Sequence, residues 1–139
     1  TDILDALKIA AKSGVDVRIM IPCKPDHPFV YWATLSYVGE LIMAGANCYT
    51  YDNGFLHAKG LSIDGKACCY GTANMDIRSF ELNFEVNAMI FDQNIAGEME
   101  RIFREDLKCC TRITKEMYKS RSVWIRFKEQ ISRLLSPVL

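Results

Sequence analysis

Asp64-Gly65 stands between two short runs, "AKGLSID" and "KACCYG", and that pattern commits this part of the chain to a β-hairpin. A two-residue hairpin loop needs positive φ at both central positions, and Asp-Gly reaches that backbone region at low cost. An antiparallel hairpin brings the residues before its first strand beside those that follow its second. "FLHAK" (55–59) and "GTAN" (71–74) are therefore expected at one end, with Asp64 at the other. His57 and Lys59, two apart on the first strand, are expected to project to the same side, because alternate residues of a strand share a face.

The elements around the hairpin alternate. Asp2 to Ser13 reads as a helix with an apolar stripe of Ile3, Leu4, Leu7, Ile9, Ala10 and Ala11, ended by Gly14. "VDVRIMI" (15–21) is a β-branched strand stopped by Pro22. Pro28 opens a helix that runs to about Ala44 and is closed by Gly45. "ANCYTY" (46–51) is a second strand, and Asn53-Gly54 turns the chain toward the hairpin. "LNFEVNAMIFD" (82–92) alternates like another strand, a helix follows from Asn94 through "LKCC", and a last basic helix covers Tyr118 to Leu135. Helices alternating with strands, followed by hairpins, give an α/β sandwich with a mixed central sheet flanked by helices. At 139 residues the whole chain, 1–139, is expected to be one domain. The lack of a starting Met, and of a strand before the first helix, points to a fragment of something longer.

Composition excludes several classes. Half the residues are hydrophobic and 24% charged, an ordinary globular balance rather than a disordered one. No uninterrupted apolar run reaches the roughly 20 residues of a membrane-spanning helix. The acidic first turn is unlike a signal peptide. The six cysteines, at 23, 48, 68, 69, 109 and 110, have no metal-ligand spacing. They are expected to be reduced and mostly buried, in a cytosol-facing domain. Net charge is zero but unevenly spread: residues 1–100 carry a balance of −6 and residues 101–139 one of +6. A basic terminal segment suits an anionic partner: a membrane surface, a nucleic acid, or the acidic body of its own protein.

A bare His-x-Lys is most often a core histidine beside a solvated lysine. Here the pattern is longer, His-x-Lys-x4-Asp-x6-Gly-Thr-x-Asn, which fixes six positions across 18 residues on a strand–turn–strand. An imidazole, a cation and neutral donors gathered at one place suit a phosphodiester, whose transition state collects negative charge on the equatorial oxygens.

"HAKGLSIDGKACCYGTAN" resembles the HKD motif of the phospholipase D superfamily. "VDVRIMIP", "KPDHPFVYWATLSYVGELI", "NGFLHAK", "GTANMDIRSFELNFEVNAMIFD" and "SRLLSPVL" are similar to the C-terminal half of the bacterial cardiolipin synthases, over nearly the whole chain. The resemblance implies a site built from two HKD motifs. One histidine attacks phosphorus to form a phosphohistidine and the other protonates the leaving alcohol, and His57 matches one of them. Lys59 and Asn74, with Thr72 where many relatives carry Ser, match the residues that hold the phosphate. Asp64 completes the catalytic motif as a support for its backbone more than as a chemical group. Glu85 matches an acid that hydrogen-bonds and orients the histidine, a sensible role because an anion fixes the tautomer and raises imidazole basicity. Asp76 and Arg78 either bind phosphate or brace their loop.

This chain carries one HKD motif; His27, in "PDHPF", has no Lys two residues on. The resemblance thus implies a partner, either an N-terminal HKD half or a second copy of this chain. The implied activity is a phosphatidyltransferase that makes cardiolipin from two phosphatidylglycerol molecules, with no metal or organic cofactor, at a bacterial cell membrane with the domain facing the cytosol. The alternatives are a homodimeric single-motif phosphodiesterase or nuclease, and a silent fragment that packs against a partner. The basic residues are concentrated in one terminal segment and no second basic-aromatic groove is visible, so nucleic acid is not expected.

Two segments bear on the membrane. Phe29, Tyr31, Trp32 and Tyr37 read either as core or as an interfacial stripe. Trp124, Phe127, Ile131 and Leu134 share one helical face, with Arg121, Arg126, Lys128 and Arg133 elsewhere. That helix either lies on anionic lipid or caps the fold.

Overall fold

The computed structural model describes residues 2–23, 28–74, 79 and 83–135, with backbone alone for 28–31, 123, 126 and 133–135. His27, Asp76, Arg78 and the start of the expected strand at Leu82 lie outside the described residues, as do the side chains of Phe29, Tyr31, Arg126, Arg133 and Leu134. The chain divides into two compact units, Thr1–Phe55 with Cys110–Leu139, and Leu56–Cys109.

In the first unit, α1 (Asp2–Lys12) follows its apolar stripe, and Leu4, Leu7 and Ala11 turn inward while Ile3 and Ile9 stay exposed. Strand β1 (Arg18–Pro22) leads to α2 (Pro28–Ala44), which spans the expected residues, and β2 (Asn47–Tyr51) follows. Val38, Leu41 and Ile42 of α2 pack with Leu4, Ile21, Ala46 and Cys48 to form the core of this unit. Burying each of the larger aliphatic side chains stabilises by roughly 1.5–3 kcal/mol. Tyr37 packs against the same core, which decides its part of the aromatic stripe in favour of packing. β1 and β2 are parallel, as a helical crossover requires, and pair Ile19 with Cys48. The strand β6 (Cys110–Ile113) adds to β2 antiparallel, with Tyr51 opposite Cys110.

The chain's last helix is broken. Thr114 caps α4 (Lys115–Lys119) by accepting from the Met117 N–H at 3.2 Å, and Ser122 opens α5 (Val123–Leu135) by accepting from Ile125. α5 packs along α2, and it does so by its polar side. Glu129 is 2% exposed and ion-pairs with Arg121, whose guanidinium also lies 3.1 Å above the Tyr118 ring. Ser132 is buried beside Glu129 on the same helix, whereas Trp124, Phe127 and Ile131 are exposed. The expected apolar face exists, but it points away from the unit's own core.

The second unit holds β3 (Gly60–Ile63), β4 (Ala67–Gly71), β5 (Asn87–Ile90) and α3 (Gln93–Asp106). Its sheet is antiparallel, in the order β3-β4-β5. The hairpin turns at Asp64 and Gly65, with φ of +51° and +60°, and the Lys66 N–H donates to the Ile63 carbonyl at 2.9 Å; pairing resumes at Ala67 opposite Ile63, so the loop has three residues rather than the expected two. Gly65 sits against Glu100 and Gly97, so the turn is seated on α3. Asp92 caps α3, accepting from the Asn94 and Ile95 N–H groups at 2.8 and 3.0 Å.

The α/β class holds, with one mixed sheet. Four further details differ from the sequence reading. The strands form two three-stranded sheets rather than one. The strand expected over 82–92 is confined to Asn87–Ile90. The helix expected through "LKCC" ends at Asp106, with a single 3₁₀ turn at Leu107–Cys109 and then β6. His57 and Lys59 lie in the irregular segment before β3 rather than on the strand. The last bond of the hairpin on that side joins the Gly71 N–H to the Lys59 carbonyl. The next residue, Thr72, faces the other neighbouring segment and gives its N–H to Val86. All six cysteines are free: Cys48 and Cys68 are buried, Cys109 is exposed, and burial pushes the Cys48 thiol up to about 11. Among the described residues no helix is long and apolar enough to cross a membrane.

Candidate active site

The register of the second sheet assembles the site. Gly60 lies opposite Tyr70, and Gly71 opposite Asn87. The start of β3, the end of β4 and the start of β5 therefore share one end of the sheet. His57 and Lys59 arrive there from before β3, Thr72 and Asn74 leave from β4, and Glu85 arrives just before β5. Asp64 lies at the opposite end, in the turn, away from the other members of the motif.

Two glycines let the strands close. The Tyr70 ring covers Gly60 where any side chain would stand, and its hydroxyl lies 3.4 Å from that of Ser62. Gly71 packs directly against the Val86 carbonyl and Asn87, so β4 and β5 meet there without space for a Cβ.

His57 is exposed, and Lys59 is half-buried beside it. The Lys59 Nζ donates to the His57 carbonyl oxygen at 3.1 Å. An ammonium has three donors, so this bond orients the cation and leaves two N–H groups to offer an anion. Asn74 is exposed in the loop after β4, with an amide suited to a phosphate oxygen.

Glu85 is the most elaborated member. Its carboxyl is held below the usual carboxylate range, chiefly by the Thr72 hydroxyl, then by the Asn83 amide and Ser79, with the Lys59 charge adding to them. The Asn83 Nδ2 donates to the Glu85 Oε1 at 3.3 Å. Ser79 is 4% exposed. Sequence reasoning missed Asn83 and Ser79 as supports of Glu85. Asn83 had a signal, since a residue two before a carboxylate on extended chain projects to the same side. Ser79, six residues away across a bend, had none.

Residues 1–107, which include this whole constellation, match the family described as "Cardiolipin synthase, PLD-like domain". The chain belongs to that family. Within the cardiolipin synthase family its relatives include the "Major cardiolipin synthase ClsA" of Bacillus subtilis, 59% identical over 137 residues, covering 99% of this chain and 28% of that protein. The "Cardiolipin synthase" of Oceanobacillus iheyensis is 59% identical over 135 residues, 97% of this chain and 28% of the relative. The "Cardiolipin synthase" of Listeria welshimeri is 58% identical over 137 residues, again covering 99% and 28%. The chain thus spans 28% of the length of these curated relatives.

Proposed function

We propose that this chain is the C-terminal catalytic half of a phosphatidyltransferase that joins two phosphatidylglycerol molecules into cardiolipin. The observation that carries this reading is the gathering of His57, Lys59, Asn74 and Glu85 at one end of β3-β4-β5. One histidine of the complete site, His57 or its counterpart, attacks phosphorus. A P–N bond forms, the P–O bond to glycerol breaks, and the other histidine gives the leaving oxygen its proton. The same histidine then takes the proton from a hydroxyl of the second phosphatidylglycerol. That oxygen attacks phosphorus, and the P–N electrons return to the imidazole. Lys59 and Asn74 meet the charge on the phosphoryl oxygens, and Glu85 orients the His57 ring.

The second histidine comes from an N-terminal HKD half or from another copy of this chain. The edge strand β5 supports such a partner, since Phe84, Val86, Met89 and Phe91 around it are all exposed. Mass spectrometry of the products from phosphatidylglycerol vesicles, in chelator, tests the function. One cardiolipin and one glycerol are expected for every two lipids consumed. Phosphatidic acid as the sole lipid product would make water the acceptor and overturn the transferase reading, and turnover of nucleic acid alone would replace the lipid altogether.

The outward face of α5 supports contact with an anionic membrane surface on the cytosolic side. Trp124 is 74% exposed and meets Phe127 edge-on at 6.3 Å, in the basic terminal segment. Binding to vesicles rich in anionic lipid is expected to weaken about tenfold with Trp124→Ala and to fall steeply with salt. Sedimentation measures both effects, and binding indifferent to both would place α5 elsewhere.

A further inference from the structure

Thr72 makes three contacts with a single residue of the neighbouring segment. Its N–H donates to the Val86 carbonyl at 2.9 Å. Its Oγ1 accepts from the Val86 N–H at 2.9 Å, and lies 3.3 Å from the same carbonyl. Glu85 is the residue immediately before Val86, and the Thr72 hydroxyl is the leading group that keeps its carboxylate charged. A hydroxyl has one proton to give. With the Val86 N–H occupying one lone pair, that proton turns to the Val86 carbonyl or to the Glu85 carboxylate, and the charged acceptor is the stronger of the two. Both lie in the same short stretch, and neither is a phosphate.

We infer that Thr72 is a positioning residue, clamping Val86 so that the Glu85 carboxylate stands beside Lys59 at the His57 end, rather than a ligand of the transferred phosphate. This departs from the phosphate-holding role implied by the motif, and its catalytic consequence rests on the reading proposed above. Lys59 and Asn74 then carry the phosphate. Thr72→Ser preserves the clamp, and Thr72→Val removes its hydroxyl contacts at nearly constant shape while keeping the main-chain bond.

The test uses the full-length enzyme with micellar short-chain phosphatidylglycerol, and inorganic phosphate as a competing anion. Thr72→Val is expected to lower kcat about tenfold, the order expected for misplacing one orienting group. KM and the phosphate inhibition constant stay unchanged, and Thr72→Ser restores kcat. Asn74→Ala moves the phosphate constant instead. A Thr72→Val enzyme whose phosphate constant rises alongside that of Asn74→Ala, or whose kcat is unaltered, overturns the inference. Hydrogen exchange of the peptide containing Val86 gives a readout without turnover: it quickens in Thr72→Val and stays at the wild-type rate in Asn74→Ala. An unchanged rate in Thr72→Val removes the clamp. Where the wild type itself makes no cardiolipin, the transferase reading fails by itself and the exchange rate still decides the clamp. Thr72→Ala serves for the same comparisons if the valine variant does not fold.

Discussion

Replacing His57 with alanine is expected to end cardiolipin formation, with kcat lowered by about 10⁴-fold or more. His57 is the one imidazole among the described residues at this end of the sheet, where Lys59 is a cation and the Asn74 amide has no basic nitrogen to form or release a P–N bond. The fold is expected to survive, because His57 is exposed and precedes the first ladder bond of β3. Stability within about 0.5 kcal/mol of wild type, measured by denaturant unfolding, checks that part. A phosphatidyl substrate with a nitrophenol leaving group then separates the two roles. Nitrophenol departs without a proton, so an enzyme that has lost only its general acid regains most of its first step, whereas one that has lost its nucleophile regains nothing. Wild-type rates in His57→Ala would remove His57 from the chemistry.

The largest structural effect is expected at Gly71. An alanine Cβ there would overlap the Val86 carbonyl oxygen and the Asn87 Cα, both of them main-chain atoms that cannot rotate aside. β4 and β5 must therefore part. The three Thr72–Val86 contacts sit at the same point and are lost with that pairing. Overpacking combined with broken backbone pairing predicts a loss of about 3 kcal/mol or more, and a fall in kcat because Thr72, Asn74 and Glu85 all move. Gly97, inside α3, is the matched control: a Cβ there meets nothing within 4 Å. Gly97→Ala is expected to stabilise by about 0.5–1 kcal/mol through helix propensity alone. Urea unfolding of the two variants measures both, and a Gly71→Ala protein as stable as Gly97→Ala would mean that the strands do not approach as described.

The site was legible because an antiparallel hairpin converts spacing into proximity. Once Asp64-Gly65 fixes the turn, the residues before β3 and after β4 must meet. What the sequence did not disclose depends on partners distant along the chain. "CTRI" continues a helical-looking segment and becomes β6 only because β2 offers it an edge, with the Thr111 hydroxyl donating to Asp52 at 2.6 Å across 59 positions. Glu129 reads as a surface acid by composition, and its burial requires Arg121, eight residues away in the break between α4 and α5. Local pattern found the elements, while partners distant along the chain set their ends.

The pairing of Tyr51 with Cys110 has a consequence for biosynthesis. The unit that holds the candidate site, Leu56–Cys109, is threaded between two strands that are neighbours in one sheet. A ribosome extending the chain at roughly 5–20 residues per second takes about 3–12 s to pass from β2 to β6. Throughout that interval β2 has β1 on one side and an open edge on the other. The first unit can close only after the second has been made, so the hairpin that carries His57 emerges and pairs before the scaffold around its two ends is complete.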